Sequence, residues 1–261
     1  MQEEAQHSLE LAAALDAARA AGDISRSYYR GNFSVRTKAD RTPVTQADVE
    51  CEEAIREIIL TRFPQHGFYG EETGRTRADA EFLWLVDPID GTKGFVRQYP
   101  FFSTQIALMR NGQLVLGVSH GVMFDELAWA EKGGGAWLNG EPLRVSDVTD
   151  ISSAAVSTGN LKTLAGGNGW AAFGDLVASI DRIRGYGDFY QYHLLAAGKI
   201  EAVIESDVNI LDIAALSVIV SEAGGTFTDL NGTAPDLKTT SVLATNGHLH
   251  AEIRKRLENR S

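Results

Sequence analysis

The segment Trp84-Leu85-Val86-Asp87-Pro88-Ile89-Asp90-Gly91-Thr92 puts two carboxylates, a proline, a glycine and a hydroxyl side by side. An apolar strand runs into Asp87. Pro88 lacks an N–H, so it is expected to end the strand, leave the Ile89 carbonyl free and turn Asp90 back beside Asp87. Gly91 permits close approach of backbone to a ligand, and Thr92 can open a short helix whose first amides suit an anion. Carboxylates beside an anion cradle are what a cation bridging protein acid to substrate phosphate requires. Without such a cation, two like charges about 4 Å apart repel by about 4 kcal/mol at an effective dielectric near 20, and one carboxyl would keep its proton. The same residues would also serve as an ordinary acidic turn.

Further acid stands at Gly70-Glu71-Glu72, after the apolar Phe68-Tyr69, and at Asn209-Ile210-Leu211-Asp212. Read alone, the first is an acidic loop and the second an acid favoured near a helix N-terminus. Other motifs point elsewhere. Gly117-Val118-Ser119-His120-Gly121 matches the G-x-S-x-G nucleophile elbow by letter, but it falls within an alternating strand, whereas the elbow needs a strand-to-helix turn. Gly185 and Gly187 do not complete a dinucleotide fingerprint, because Tyr190 stands at its last position. His66, His120, His193, His248 and His250 lack metal-ligand spacing and read as surface or satisfied histidines. Cys51, with no general base nearby, reads as an inert helix residue.

The elements that must position these groups follow from periodicity. Leu11, Ala14, Leu15 and Ala18 recur at helical spacing over roughly 5–29, until Gly31. Thr45-Gln46-Ala47-Asp48 reads as a capping box opening a second helix with Val49, Ile55, Ile58 and Ile59, with Pro64 past its end. From Phe82 to about Trp137 the pattern is that of antiparallel strands: FLWLVD, STQIALMR, QLVLGVSHGVMF and ELAWAEKG, with Asn111-Gly112 as a hairpin turn. Beyond residue 140 strands and helices alternate. Strands are expected at AAVST, near Arg184, at IEAVIE, GTFTD and VLAT, and helices at Trp170–Ile180, Tyr190–Ala197 and Ile213–Glu222. A last helix carries Leu249, Ile253 and Leu257 on one face. The change of texture suggests an N-terminal α+β sub-domain, 1–145, and a C-terminal α/β sub-domain, 146–261, packed as one unit.

The chain has 261 residues, 44% hydrophobic, 23% charged and only 6 Pro, which excludes collagen-like and disordered classes. Its 35 acidic against 24 basic residues give a net charge of −11, which disfavours nucleic acid as a primary ligand. One cysteine excludes an intramolecular disulfide framework and a Cys-based zinc site. MQEEAQHSLE is acidic where a signal peptide would be basic, and no apolar run reaches the roughly 20 residues of a membrane span. A cytoplasmic protein without membrane partners is expected.

Taken together, Lys38-Ala39-Asp40, Val44-Thr45-Gln46-Ala47-Asp48, GEE, WLVDPIDGT, ELAWAEKGGGAWLNG, LDIAAL and EAGG resemble the inositol monophosphatase family of magnesium-dependent, lithium-sensitive phosphatases, over nearly the whole chain. The resemblance implies an α/β (α+β) fold, a layered α-β-α-β-α sandwich of the inositol monophosphatase and fructose-1,6-bisphosphatase type, commonly a homodimer. It also implies a site. Glu71, Asp87 and the Ile89 carbonyl would hold one Mg²⁺; Asp87, Asp90 and Asp212 a second; a looser third could share Glu71 with waters. Gly91 and Thr92 amides would receive the phosphate. A metal-activated water would attack in line, with no covalent phospho-enzyme, oriented and deprotonated by Thr92 and Asp48 near Glu71, while Lys38 tunes the carboxylates. Two departures from the family pattern are Leu211, where Trp is common, and Lys93, where a smaller polar residue is common.

For the leaving group, the resemblance points to the segment from Arg184 through Gly187 and Asp188, with Glu205 and Asp212 as further contacts. Asp188 stands where many members have a small hydroxyl residue; its alternative reading is a helix N-cap ahead of Phe189. Two acids favour a cationic alcohol through charge-assisted hydrogen bonds, and GDFYQYHLLAAG resembles the histidinol-phosphate phosphatases of the family. The leading expectation is hydrolysis of L-histidinol phosphate. Alternatives are inositol 1-phosphate, 3′-phosphoadenosine 5′-phosphate, and a non-catalytic metal-binding regulatory protein on the same fold.

Overall fold

The computed structural model describes residues 7–29, 31, 35–37, 43–167 and 169–258. Ser8 accepts the Leu11 amide and starts α1 (Leu9–Tyr28), which buries Leu11, Ala14, Leu15, Ala18 and Ala21. A short antiparallel pair, β1 (Val35–Thr37) and β2 (Pro43–Thr45), leads into α2 (Gln46–Arg62). The capping box forms as expected: Thr45 and Asp48 satisfy each other's amides. The apolar face of α2 differs from the expectation. Ala47, Cys51, Ile55 and Ile59, four apart, are the buried set, so Val49 falls on the outer side and is exposed.

The main sheet follows: β3 (Gly67–Gly70), β4 (Gly74–Thr76), β5 (Phe82–Asp90), β6 (Ser103–Arg110), β7 (Gln113–Gly121), β8 (Glu126–Glu131), β9 (Ala136–Leu138) and β10 (Glu141–Leu143), with the short helix α3 (Thr92–Val96) after β5. Its spatial order is β10-β9-β8-β7-β6-β5-β3-β4, antiparallel except that β3 runs parallel to β5. Two strand expectations are corrected. Val122–Phe124 is a single 3₁₀ turn, not strand. Pro88 does not end β5: the ladder pairs Asp87 with Gln105, skips irregularly, and pairs Asp90 with Ser103. The irregularity absorbs the missing donor and lets the strand reach Asp90.

The second sheet contains β11 (Ala155–Thr158), β12 (Arg182–Arg184), β13 (Ala202–Ser206), β14 (Thr226–Thr228) and β15 (Ser241–Thr245), in the order β12-β11-β13-β15-β14. Between its strands run α4 (Lys162–Gly166), α5 (Gly169–Ser179), α6 (Asp188–Ala196) and α7 (Ile210–Glu222), and α8 (His250–Glu258) closes the chain. Helices α6 and α7 begin two and three residues earlier than periodicity alone placed them.

Period-two alternation in β5 sends Trp84 and Val86 to one core, with α1 and α2, and Leu83 and Leu85 to another, with α6 and α7. That second core also takes Val203, Val242 and Ala244 from the five-stranded sheet, whose opposite face packs Ile204 and Leu243 on Phe173, Leu176, Ile253 and Leu257 of α5 and α8. The order of layers is therefore helix, sheet, helix, sheet, helix. It also explains the letters GVSHG. A Cβ on Gly117 would lie 2.3 Å from the Ala215 carbonyl oxygen, and one on Gly121 the same distance from the Phe189 ring. These glycines admit α7 and α6 against β7. No helix among the described residues is long and apolar enough to cross a membrane.

Candidate active site

The two ends of the ladder irregularity in β5 and the first turn of α7 meet at one point. Carboxylate oxygens of Asp87, Asp90 and Asp212 lie within 4.8 Å of one another. Asp87 is buried on the strand; Asp90 and Asp212 keep an edge to solvent. Asn209 caps α7, and Asp212 completes a second capping box by accepting the Asn209 amide on Oδ2 at 2.8 Å. That bond fixes the carboxylate plane at the helix start, next to the strand acids.

Burial raises the pKa of all three acids, and their mutual repulsion raises Asp87 and Asp90 well above the usual carboxylate range. Glu71 adds repulsion and a hydrogen bond with the Asp87 carboxyl. Asp212 is pushed up to about 6 by burial, held back by the Asn209 amide. A set of hard oxygen donors that cannot all ionise together fits a divalent cation of the Mg²⁺ type.

Beside this set, Asp48 is fully buried at the third position of α2. Its Oδ2 accepts from the Thr45 amide at 2.7 Å and the Thr45 hydroxyl at 2.5 Å. Its Oδ1 faces the Thr92 hydroxyl at 3.3 Å, and that hydroxyl also lies 3.0 Å from the Ile89 carbonyl. The Ile89 oxygen thus has a hydroxyl neighbour where the sequence suggested it was free, and keeps a second lone pair. Burial raises the Asp48 pKa, while the bonds from Thr45 oppose the rise. Gly91 caps α3 with φ +86°, and a Cβ there would meet the Phe101 carbonyl at 2.7 Å. Only glycine fits that turn without strain.

Asp188 is not a helix N-cap. Gly187 occupies that position with φ +74°, and Asp188 is the first helical residue at φ +44°. Such a conformation is costly for a residue with a side chain. Its negative charge raises the pKa of Asp90, which places it towards the acid set. Glu205 is buried and well satisfied: Gln191 and Tyr192 each donate to Oε2 at 2.7 Å, and the Asn160 amide donates to Oε1 at 3.1 Å. Burial nevertheless lifts it to about 7. Arg184 is exposed and donates to the carbonyl of its neighbour Ile183; no described contact joins it to the acids. Lys38 lies outside the described residues.

One positioning residue escaped the sequence. Glu52, one turn after Asp48, is fully buried and accepts the amides of Glu72 at 2.7 Å and Thr73 at 2.8 Å, gripping the turn that carries Glu71. A Cβ on Gly70 would fall 2.3 Å from this carboxylate. A signal existed, the four-residue spacing from Asp48, but a single acid on a charged helix reads as solvated. The expected histidines are satisfied ones: His66 accepts from Trp84 Nε1, and His120 pairs with the Ala18 carbonyl. Cys51 is buried against the Ala21 carbonyl, and burial pushes its thiol far up, which removes reactivity.

Comparison with known proteins agrees with this geometry. The inositol monophosphatase family pattern matches residues 7–261. The chain is 36% identical over 260 residues to a histidinol-phosphatase from Mycobacterium tuberculosis, covering 95% of this chain and 97% of the relative. It is 34% identical over 228 residues to an inositol-1-monophosphatase from Rhizobium meliloti, covering 86% of each. Among solved structures, the extragenic suppressor protein suhB from Bartonella henselae superposes with a TM-score of 0.89 at 30% identity, covering 97% of this chain and 99% of that one.

Proposed function

From its membership of the inositol monophosphatase family, to which this chain belongs and which makes it a phosphoric monoester hydrolase, we propose that it hydrolyses L-histidinol phosphate with Mg²⁺. The convergence of Asp87, Asp90 and Asp212, with Glu71 beside Asp87, carries the metal part of the reading. These residues and the Ile89 carbonyl would hold the cations, which when bound neutralise phosphate charge and acidify water.

The chain's own residues supply the rest. The first amides of α3, at Gly91 and Thr92, receive phosphate oxygens. Thr92 accepts a proton from the attacking water as it passes its own to Asp48 Oδ1, 3.3 Å away. The raised pKa of Asp48 makes it a better acceptor near neutral pH. Its other oxygen, held twice by Thr45, keeps the acceptor aimed.

Asp188 supports the choice of substrate. It is a carboxylate in a costly backbone conformation, beside acids that already repel it. A leaving group bearing an ammonium and an imidazole would relieve that repulsion. Glu205 adds its field from behind, since its oxygens are committed to Gln191, Tyr192 and Asn160. The 36% identity to a histidinol-phosphatase supports the same reading.

The test is phosphate release with Mg²⁺ from L-histidinol phosphate, myo-inositol 1-phosphate and 3′-phosphoadenosine 5′-phosphate. One charge-assisted contact predicts a kcat/KM advantage of about tenfold for histidinol phosphate over the inositol ester. A preference for the inositol ester overturns the substrate, and no release from any ester overturns the phosphatase reading.

A further inference from the structure

Away from the acids, a buried line of polar side chains crosses three strands. Glu126 on β8 lies 2.7 Å from His193 Nδ1, and His193 Nε2 lies 2.9 Å from Ser119 Oγ on β7. Gln105 on β6 donates through Nε2 to Ser119 at 3.0 Å and to Ser103 at 2.7 Å. Ser103 donates over 3.4 Å to Asp90 Oδ2. His193, Ser119, Gln105 and Ser103 are each at most 2% exposed.

Ser119, His193 and Glu126 have the spacing of a nucleophilic triad, but that chemistry is closed to them. Ser119 is 0% exposed inside a strand, its hydroxyl shared between His193 and Gln105. No ester can reach it. Buried polar groups of this kind are costly unless they are hydrogen-bonded, and one assignment of donors and acceptors links the whole line. In that assignment the Glu126 carboxylate accepts from Nδ1, and Nε2 accepts from Ser119. Ser119 then accepts from Gln105, whose second N–H goes to Ser103. The Ser103 proton is left for Asp90. Turning the amide over would make both serines donate to Gln105 and withdraw that proton from Asp90. Register agrees with this reading, since Gln105 and Ser103 stand opposite Asp87 and Asp90 in the ladder. The amide orientation leaves Gln105 Oε1 as a buried oxygen without a hydrogen-bond partner.

We propose that this line is a positioning assembly that fixes the Asp90 carboxylate for its cation and ties it to α6, the helix that Asp188 begins. Gln105 is its hub, Ser103 its working end and the His193–Glu126 pair its anchor. The proposal rests on the metal-dependent reading above. Side chains that orient a metal ligand typically change metal affinity by about 10- to 100-fold when removed.

The experiment titrates Mg²⁺ alone into the protein by calorimetry, with metal-free Tm measured in parallel. Ser103→Ala deletes one oxygen and is expected to weaken Mg²⁺ binding about tenfold, with Ser103→Thr restoring it. Glu126→Ala, at the partly buried far end, is expected to weaken it about threefold, an effect that a local packing contact would not transmit. A merely structural role would lower Tm and leave Mg²⁺ affinity unchanged well below Tm. Wild-type affinity in either alanine variant, or failure of the threonine to rescue, overturns the proposal. Absence of Mg²⁺ binding by the wild-type protein would instead overturn the metal-dependent reading itself.

Discussion

Helices α2 and α7 open in the same way and face opposite chemistry. Each begins with a capping box that has aspartate at its third position, so one oxygen of Asp48 and one of Asp212 are pinned by the cap residue's amide. At Asp48 the second oxygen looks at a hydroxyl. At Asp212 the surroundings are other carboxylates. Helix α2 also has a second rung, Glu52, gripping the turn that holds Glu71, whereas the next turns of α7 bury Ala215, Leu216 and Ile219. A helix start thus fixes where a carboxylate stands, and the facing surface differs between the two: a hydroxyl at Asp48, other carboxylates at Asp212.

The sharpest way to break this comparison is to neutralise each aspartate. Asp212→Asn is expected to lower kcat/KM by more than about 10²-fold and to abolish Mg²⁺ heat in calorimetry. It should also raise the Tm of the metal-free protein, because it removes a buried carboxylate whose pKa burial lifts to about 6 and whose charge is therefore costly at neutral pH. A metal-free Tm below wild type would show that Asp212 is held mainly as a cap.

Asp48→Asn should behave in the reverse sense. Loss of a general base predicts a fall in kcat of about 10²-fold or more. Mg²⁺ affinity should stay near wild type. Metal-free Tm should drop by about 2–4 °C, since a weakened cap costs about 1 kcal/mol. Retained turnover would remove Asp48 from the proton path.

The smallest effect concerns pH. Glu205 has a folded pKa of about 7, against an ordinary value of 4.5. The folded state therefore binds its proton more tightly than the unfolded chain. The resulting stability is complete below about pH 4.5 and is lost as pH rises through 7, about 3 kcal/mol in all. Denaturant titrations of metal-free protein from pH 4.5 to 8 should show this decline added to that of the other raised acids, and Glu205→Gln should make the slope shallower. An unchanged slope would mean that Glu205 remains ionised throughout.

Much of this was legible in the residues. The WLVDPIDGT run, the Thr45 capping box and the helical spacing of Leu249, Ile253 and Leu257 each depend on local rules. What failed depended on distant partners. Pro88 looked like a strand end because the irregular pairing with β6 that accommodates it is supplied from residues 103–105. Val49 looked buried because the orientation of α2 is set by what α1 and β5 present to it. Glu52 and His193 looked unremarkable because their partners lie on other elements. The alternative reading of Asp188 as a cap fell because Gly187 takes that place, and nothing in the neighbouring sequence announces a positive φ at Asp188.

The bare Cα of Gly117, pressed against Ala215, has a consequence in time. It lets α7 seat on the main sheet, and only then does Asp212 arrive beside Asp87 and Asp90. The two strand acids are local neighbours, whereas the third comes through a long chain closure whose entropy must be met before the contact forms. If the proposed cation is held by all three, its capture would be a clock for the docking of α7. During refolding, the onset of Mg²⁺ binding would then mark the moment when that helix locks onto the sheet.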